Sequence, residues 1–334
     1  MKYVGLDVHK ETVHGTVMDE HGRVLKRKGF FNTPKGYEKF FGGIDDAKVA
    51  MEAGYCWQPP YELLERMGYR VKLAHPYETR IIAKSKIKTD ATDSEKLAQL
   101  LRTGFLPEAY APPKHVRELR ELLYRRAYLV RMRAQLKNKT RAELAKRWVR
   151  PERKELFTRP GKAVLRGLGI NAIDDYLVVI DTLDEPIKRL EKQIEFLASE
   201  NADAKLLMSI PGVGYFSALT ILAEIGDIHR FGSSEELCSY AGIVPSTRES
   251  GGIVKRGGIT KQGRKLMRWT LDLCVLVHLK CDTKLTRYWK RAAKLKGKKV
   301  ATTAAARKML KVMYWMLKRR EVYRPEGVKL GKYR

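Results

Sequence analysis

An α/β amino-terminal domain followed by two helical segments is the fold class this sequence predicts. Three observations carry that expectation. Short β-type runs alternate with helical runs over roughly the first hundred residues. Proline punctuation at Pro107 and Pro112-Pro113 then ends the alternation. Leucine and isoleucine repeats at helical spacing follow it. The expected divisions are residues 1–110, 111–200 and 201–334.

Tyr3 to Val8 and Val13 to Asp19 read as strands, and Asp19-Glu20-His21-Gly22 is a hairpin turn signal. Arg23 to Gly29 returns as a third strand. Asn32-Thr33-Pro34 punctuates, with Thr33 placed to cap a helix over Lys35 to Phe41. Val49 to Glu52 is a short buried strand, Tyr61 to Met67 a helix ended by Gly68, and Arg70 to Ala74 another strand. Three antiparallel strands followed by strand–helix–strand is the order of a ribonuclease-H-like fold.

Beyond the prolines, His115 to about Arg147 is helical, with Leu122, Leu129 and Leu136 every seventh residue. Leu183, Ile187, Leu190, Ile194 and Leu197 repeat with the four-three spacing of a coiled-coil seam. Two arrangements fit these seams: a helical bundle within one chain, or a dimerising pair. Arg150 to Gly169, rich in charge, proline and glycine, reads as a loop or connection. The last part is mostly helical. Its Ser209-Ile210-Pro211-Gly212-Val213-Gly214 reads as a helix-hairpin-helix turn, where backbone N–H groups at Gly212 and Gly214 can receive a phosphate. A plain helix–helix turn is the alternative.

The charge is unusual. A net +29 and a pI near 9.9 predict a polyanion partner, nucleic acid before membrane, with affinity that falls steeply with salt. Arg125, Arg126, Arg131, Arg133, Lys137 and Lys139 lie along one helical stretch with few acids in the same stretch, which favours a nucleic-acid face over a merely solvated one. Arg248, Lys261, Lys298 and Lys299 are further candidates, the last two in an expected loop from Lys294 to Lys299. Cys56, Cys238, Cys274 and Cys281 form no CxxC pair, so a zinc ribbon is not expected and a reducing compartment is. The amino terminus has no apolar signal segment, and Leu271 to Leu279 is too short to span a bilayer. The expectation is a soluble, cytoplasmic, nucleoid-associated protein with no membrane partner.

Four acids stand out. Asp7 lies inside an apolar strand, Glu52 ends another, and Asp90 and Asp93 share one face of a helix at a spacing of three. Two carboxylates about 4 Å apart repel by about 4 kcal/mol at an effective dielectric near 20. Their convergence makes sense if divalent cations neutralise it, and oxygen ligands favour Mg²⁺ or Mn²⁺. Two such ions, roughly 3.5–4 Å apart, promote phosphoryl transfer. Each acid also has a structural reading: Asp90 as a helix cap with Asp93 in the first turn, Glu52 as a cap of the turn at Ala53-Gly54. Asp7 is the hardest to explain structurally, since an unpaired acid within an apolar strand is costly.

Taken with Gly5-Leu6-Asp7-Val8-His9-Lys10, Met51-Glu52-Ala53, Lys88-Thr89-Asp90-Ala91-Thr92-Asp93 and the turn at Ser209 to Gly214, these features resemble a known family. So do Tyr240-Ala241-Gly242-Ile243-Val244-Pro245-Ser246-Thr247-Arg248-Glu249-Ser250-Gly251-Gly252 and Gly258-Ile259-Thr260-Lys261-Gln262-Gly263. The chain resembles, over nearly its whole length, the IS110 group of insertion-sequence transposases, which join a RuvC-like DEDD domain to a carboxy-terminal serine-bearing domain. The resemblance implies that Asp7, Glu52, Asp90 and Asp93 are metal ligands. It implies that Ser250 attacks DNA and forms a covalent phosphoserine link, with Ser246 and Thr247 as neighbouring competitors. It further implies a recombinase acting on donor and target DNA, an element-encoded bridge RNA as guide, and dimers that pair into a tetramer, one chain's acidic site meeting another's serine.

Three rivals remain at this point. A Holliday-junction-type nuclease would use metal-activated water instead of a serine. A non-catalytic nucleic-acid-binding protein would use its acids structurally. An actin-like kinase shares the Gly-x-Asp strand opening, but Val8-His9-Lys10 is not a glycine-rich phosphate loop.

Overall fold

Alternation decides which way the first strand, β1 (Lys2–Val8), faces. Val4 and Leu6 are fully buried on one side, so Tyr3, Gly5 and Asp7 take the other. The computed structural model describes residues 1–82, 89–150, 155–250 and 253–325, with backbone alone at 248–250 and 253–256. The chain divides into two compact units, Met1–Pro112 and Pro113–Arg334.

In the first unit β1 pairs antiparallel with β2 (Thr12–Met18), which pairs with β3 (Val24–Phe31). The β2–β3 turn is held by Asp19, whose Oδ1 accepts the His21 and Arg23 amides at 2.9 and 2.8 Å, and by Gly22 at φ +83°. On the other side β4 (Ala47–Glu52) and β5 (Arg70–Ala74) run parallel to β1, and a short antiparallel β6 (Glu108–Ala109) closes the edge. The strand order is β3-β2-β1-β4-β5-β6. This mixed sheet is consistent with the expected ribonuclease-H-like arrangement.

Helices cover both faces. The Val4 and Leu6 side packs on α1 (Pro34–Phe41), capped by Thr33, and α2 (Gln58–Arg66), through Tyr37, Phe40, Phe41, Tyr61 and Leu64. α2 begins before Tyr61 because Pro59-Pro60 suit a first helical turn. β5 is followed by α3 (Pro76–Ile82), which the sequence pattern did not anticipate. The Gly5 side packs on α4 (Asp90–Thr103) through Leu97, Leu101 and Ala50. A Cβ at Gly5 would stand 2.0 Å from the Ser94 carbonyl oxygen and 2.4 Å from the Ala98 amide nitrogen. α4 therefore rests directly on β1. A buried Thr16–Ser94 hydroxyl hydrogen bond of 2.8 Å pins the same helix to β2.

The second unit is mostly helical. α5 (Lys114–Lys146) packs along α7 (Asn171–Glu200). The α7 seam of Leu183, Ile187, Leu190 and Ile194 is buried within this chain, with Leu122 and Leu123 of α5 joining Leu190 and Ile194 in one core. Of the two arrangements open to those seams, this burial supports the internal one for these residues. Between them lies α6 (Arg159–Arg166), capped by Thr158, where the sequence suggested a loop; Leu165, fully buried against Ile173, Leu177 and Ile180, gives it an apolar anchor. Residues 151–154 of that stretch lie outside the described residues.

The core continues through α8 (Ala202–Met208), α9 (Tyr215–Ile225) and α10 (Ser234–Tyr240). A hairpin of β7 (Pro245–Ser250) and β8 (Ile253–Ile259) then interrupts the helices. α11 (Lys265–His278), α12 (Lys284–Lys296) and α13 (Lys298–Arg319) complete the unit. The expected loop from Lys294 to Lys299 is instead the end of α12, a single Gly297 at φ +80°, and the start of α13. No helix among the described residues is long and apolar enough to cross a membrane.

Glu224 of α9 is almost fully buried among cations. Arg120 donates to the Ala223 and Glu224 carbonyls at 2.7 and 3.1 Å, and Arg264 Nε lies 3.5 Å from Glu224 Oε2. Tyr124 donates its hydroxyl to Glu224 Oε1, and burial together with that carboxylate pushes the tyrosine pKa upward. Glu224→Ala leaves the buried Arg120 guanidinium without its counter-charge. The expected cost is about 3–5 kcal/mol, read by thermal unfolding as a fall of roughly 10 °C.

Candidate metal centre

Register and packing converge on one end of β1. Asp7 is the penultimate residue of that strand and lies on the α4 side. Its cross-strand partner in β2 is His14, so the imidazole rises on the same face. His9 follows two residues after Asp7. Thr89 caps α4 by accepting the Thr92 amide at 3.2 Å, which makes Asp90 the first helical residue. Asp90 is thus not the cap itself; Thr89 takes that role.

The outcome is a tight group of Asp7, His9 and Asp90, with one ligand atom from each within 4.8 Å of the others. His9 Nε2 lies 3.3 Å from Asp7 Oδ2 and 3.5 Å from Asp90 Oδ1. His14 Nδ1 lies 3.8 Å from Asp90 Oδ2 and, among the described residues, is a buried polar atom with no hydrogen-bond partner. Burial holds the Asp7 carboxyl above its ordinary value; His9 opposes that shift, while the negative charges of Asp90 and Asp93 add to it. A mostly buried carboxylate, a second carboxylate beside it and an orphaned imidazole nitrogen form a donor set that a divalent cation fits.

Asp93 stands one turn further along α4, with Lys96 Nζ 2.8 Å from its Oδ1. Its charge reaches Asp7, but its carboxylate is outside the tight group. Glu52 is the last residue of β4. The final β1–β4 pair is Leu6 with Met51, so Asp7 and Glu52 stand next in line on adjacent strands. Glu52 is exposed and also lies outside the tight group. Sequence reasoning missed His9 and His14. The signals were present: His9 sits two residues from Asp7, and His14 faces Asp7 once the expected hairpin is put in register.

The other candidates are distributed over the second unit. The side chains of Ser250 and Arg248 lie outside the described residues, as do Gly251 and Gly252 entirely; the β7 backbone pairs Arg248 with Lys255 and Ser250 with Ile253. Arg126 and Arg133 form ion pairs with Glu191 and Asp184 of α7, at 2.5 and 2.6 Å. Acids on a neighbouring helix are invisible to spacing along one helix. Lys137 lies over the Phe157 ring and Lys139 over Tyr176. Arg125, Arg131 and Lys139 are exposed on α5, and Lys261, Lys298 and Lys299 are exposed as well. Gly212, at φ +94°, packs against α11, where a Cβ would meet the Cys274 oxygen at 2.7 Å and the His278 nitrogen at 2.8 Å. Its glycine is required by that contact. Gly214 is exposed and opens α9.

Comparison with known proteins resolves the class. Residues 4–148 match the transposase family DEDD_Tnp_IS110, and residues 204–290 match the Transposase IS116/IS110/IS902 family. Over these two regions the chain is similar to IS110/IS116-type transposases. The transposase for insertion sequence element IS1111A of Coxiella burnetii is 27% identical over 336 residues, covering 97% of this chain and 92% of its own length. A probable family 20 transposase of Pseudomonas aeruginosa is 26% identical over 351 residues, covering 96% and 98%. The transposase for insertion sequence element IS1328 of Yersinia enterocolitica is 27% identical over 291 residues, covering 83% of each. These likenesses support transposase activity in insertion-sequence mobility, on DNA substrates, and suggest divalent metal use. The Asp7, His9 and Asp90 group lies inside the matched DEDD region.

Proposed function

We propose that this transposase cuts and rejoins donor and target DNA with an acidic, cation-holding centre in its first unit and Ser250 as nucleophile. The juxtaposition of Asp7 and Asp90 at the end of β1 carries the metal half of the reading. Asp7 and Asp90 would hold Mg²⁺ or Mn²⁺, with Glu52 and Asp93 completing a two-ion set and the His9 and His14 nitrogens favouring Mn²⁺. When bound, such ions supply charge neutralisation and activation for phosphoryl transfer. The carboxylates of the first unit would hold such ions where a scissile phosphate could meet them, and α4, fixed on β1 at Gly5, holds Asp90 in place.

The Ser250 half rests on the Glu249-Ser250-Gly251-Gly252 resemblance. In that step the serine oxygen bonds to phosphorus, the bond from phosphorus to one strand oxygen breaks, the serine proton is given up and the leaving oxygen takes one; rejoining runs the same exchange in reverse. A bridge RNA as guide and dimers pairing into tetramers complete the proposal on the same ground. The basic surface, with exposed Arg125, Arg131, Lys139, Lys261, Lys298 and Lys299, supports polynucleotide partners.

The test is a recombination assay on plasmids carrying the element's ends, supplied with the RNA encoded beside the reading frame. Ser250→Ala is expected to abolish strand exchange and the covalent protein–DNA adduct while retaining metal-induced thermal stabilisation. Undiminished cutting by that variant would instead identify a water-using nuclease. Equal recombination without RNA would remove the guide from the account.

A further inference from the structure

Well beyond Lys298 and Lys299, basic residues mark the carboxy-terminal pair α12 and α13. Between them, and against the segment that follows α13, lies a groove of about 490 Å³. That volume is within the range of small-ligand sites. Its walls combine aromatic rings with cations. On α13, Lys308, Val312, Trp315 and Arg319 recur at helical spacing along one side and all line the groove. Tyr288 of α12 faces them, and Tyr323 closes the far end with its ring edge toward His278.

The cations are organised around the rings. Lys308 Nζ lies 3.6 Å from the centroid of Tyr288, and the Arg319 guanidinium lies 4.7 Å from that of Trp315. Lys284 and Arg324 add two more positive charges to the lining, against one acid, Glu321. Trp315 is 48% exposed although its neighbours Tyr314, Met316 and Leu317 are buried. A large indole held half in solvent, backed by a stacked guanidinium, does little for the core. An aromatic platform flanked by cations has the chemistry of a base-stacking site with a backbone track. A duplex cannot use it, because its bases are already stacked on one another.

We infer that this groove binds an unpaired nucleotide of a single-stranded nucleic acid. The base stacks on Trp315, and Lys308, Arg319 and Arg324 meet the adjoining phosphates. The inference deepens the recombinase reading and rests on it only for the source of the strand.

The test uses the full-length chain and labelled single-stranded RNA and DNA oligonucleotides, with the DNA duplex of the same sequence as control, by fluorescence anisotropy over a salt series. Trp315→Ala is expected to weaken single-strand binding about tenfold, with the slope of affinity against salt unchanged and duplex binding unchanged. Lys308→Ala is expected to lower that slope by roughly one phosphate contact. Trp315→Leu keeps apolar bulk without a π face and should lose affinity, while Trp315→Phe should keep most of it. A larger loss with RNA identifies a guide as the source, and a larger loss with DNA a displaced strand. Wild-type binding by Trp315→Ala and Trp315→Leu, or equal loss on single strands and duplex, would overturn the inference. These arms read binding alone, while the catalytic reading is tested by strand exchange with Ser250→Ala, so failure of one and failure of the other are separate results.

Discussion

Replacing Asp7 by Asn is expected to lower strand cleavage by about 10³-fold or more while leaving the first unit folded. Asn keeps the size of the side chain but not its charge. Asp7 is mostly buried, and burial raises its carboxyl pKa in the folded chain. A carboxyl raised above its unfolded value destabilises the fold at pH above the folded value, and that penalty is relieved as pH falls through it. Removing the charge therefore leaves the metal-free protein with an unfolding temperature equal to or above that of the wild type. Lost activity combined with retained stability separates a functional acid from a structural one. A clear fall in stability together with activity would place Asp7 among the fold's supports.

Gly5→Ala is expected to have the largest effect on the first unit's stability. The added methyl would overlap backbone atoms of α4, the Ser94 oxygen and the Ala98 nitrogen, neither of which can rotate away. The helix must then lift from the sheet. The cost is about 3 kcal/mol, or a drop of roughly 10 °C in thermal unfolding. The same movement carries Asp90 away from Asp7, so cleavage should fall even below the new unfolding temperature. Gly54→Ala is the control: its Cβ would meet nothing within 4 Å, and its stability should stay within about 0.5 kcal/mol of wild type. Equal behaviour of the two variants would mean that α4 is not seated on β1 at Gly5.

Much of the first unit was legible because its signals are local. Asp19 and Gly22 encode the hairpin turn, Thr33 encodes a helix start, and the alternation of Val4 and Leu6 with Gly5 and Asp7 sets the two faces of β1. Asp7 and Asp90 could be grouped from sequence as acids of an apolar strand and of a helix, in the order that the family resemblance implies for metal ligands. What escaped depends on distant partners. His14 joins the centre only through cross-strand register, and Arg126 and Arg133 find their acids on α7. α6 was hidden by its charges, since the burial of Leu165 is a tertiary fact. The β7–β8 hairpin was hidden because Ser246 to Gly252 carries polar, charged and glycine residues and no apolar alternation.

The basic surface follows the same logic. A net charge of +29 predicts a polyanion partner without saying which cations meet it. Arg126 and Arg133 are engaged with acids of α7, while Arg125 and Arg131 are exposed on the same helix. The groove at Trp315 depends on two helices and the segment after them, which no single-helix pattern displays.

Titration of the full-length chain with Mn²⁺, followed by electron paramagnetic resonance, tests the central claim most directly. Wild-type protein should bind the ion saturably and more weakly as pH falls, because protons compete for the raised Asp7 carboxyl. Asp7→Asn and Asp90→Asn should each lose most of that binding. Unaltered Mn²⁺ binding by both variants would contradict a cation centre at the end of β1.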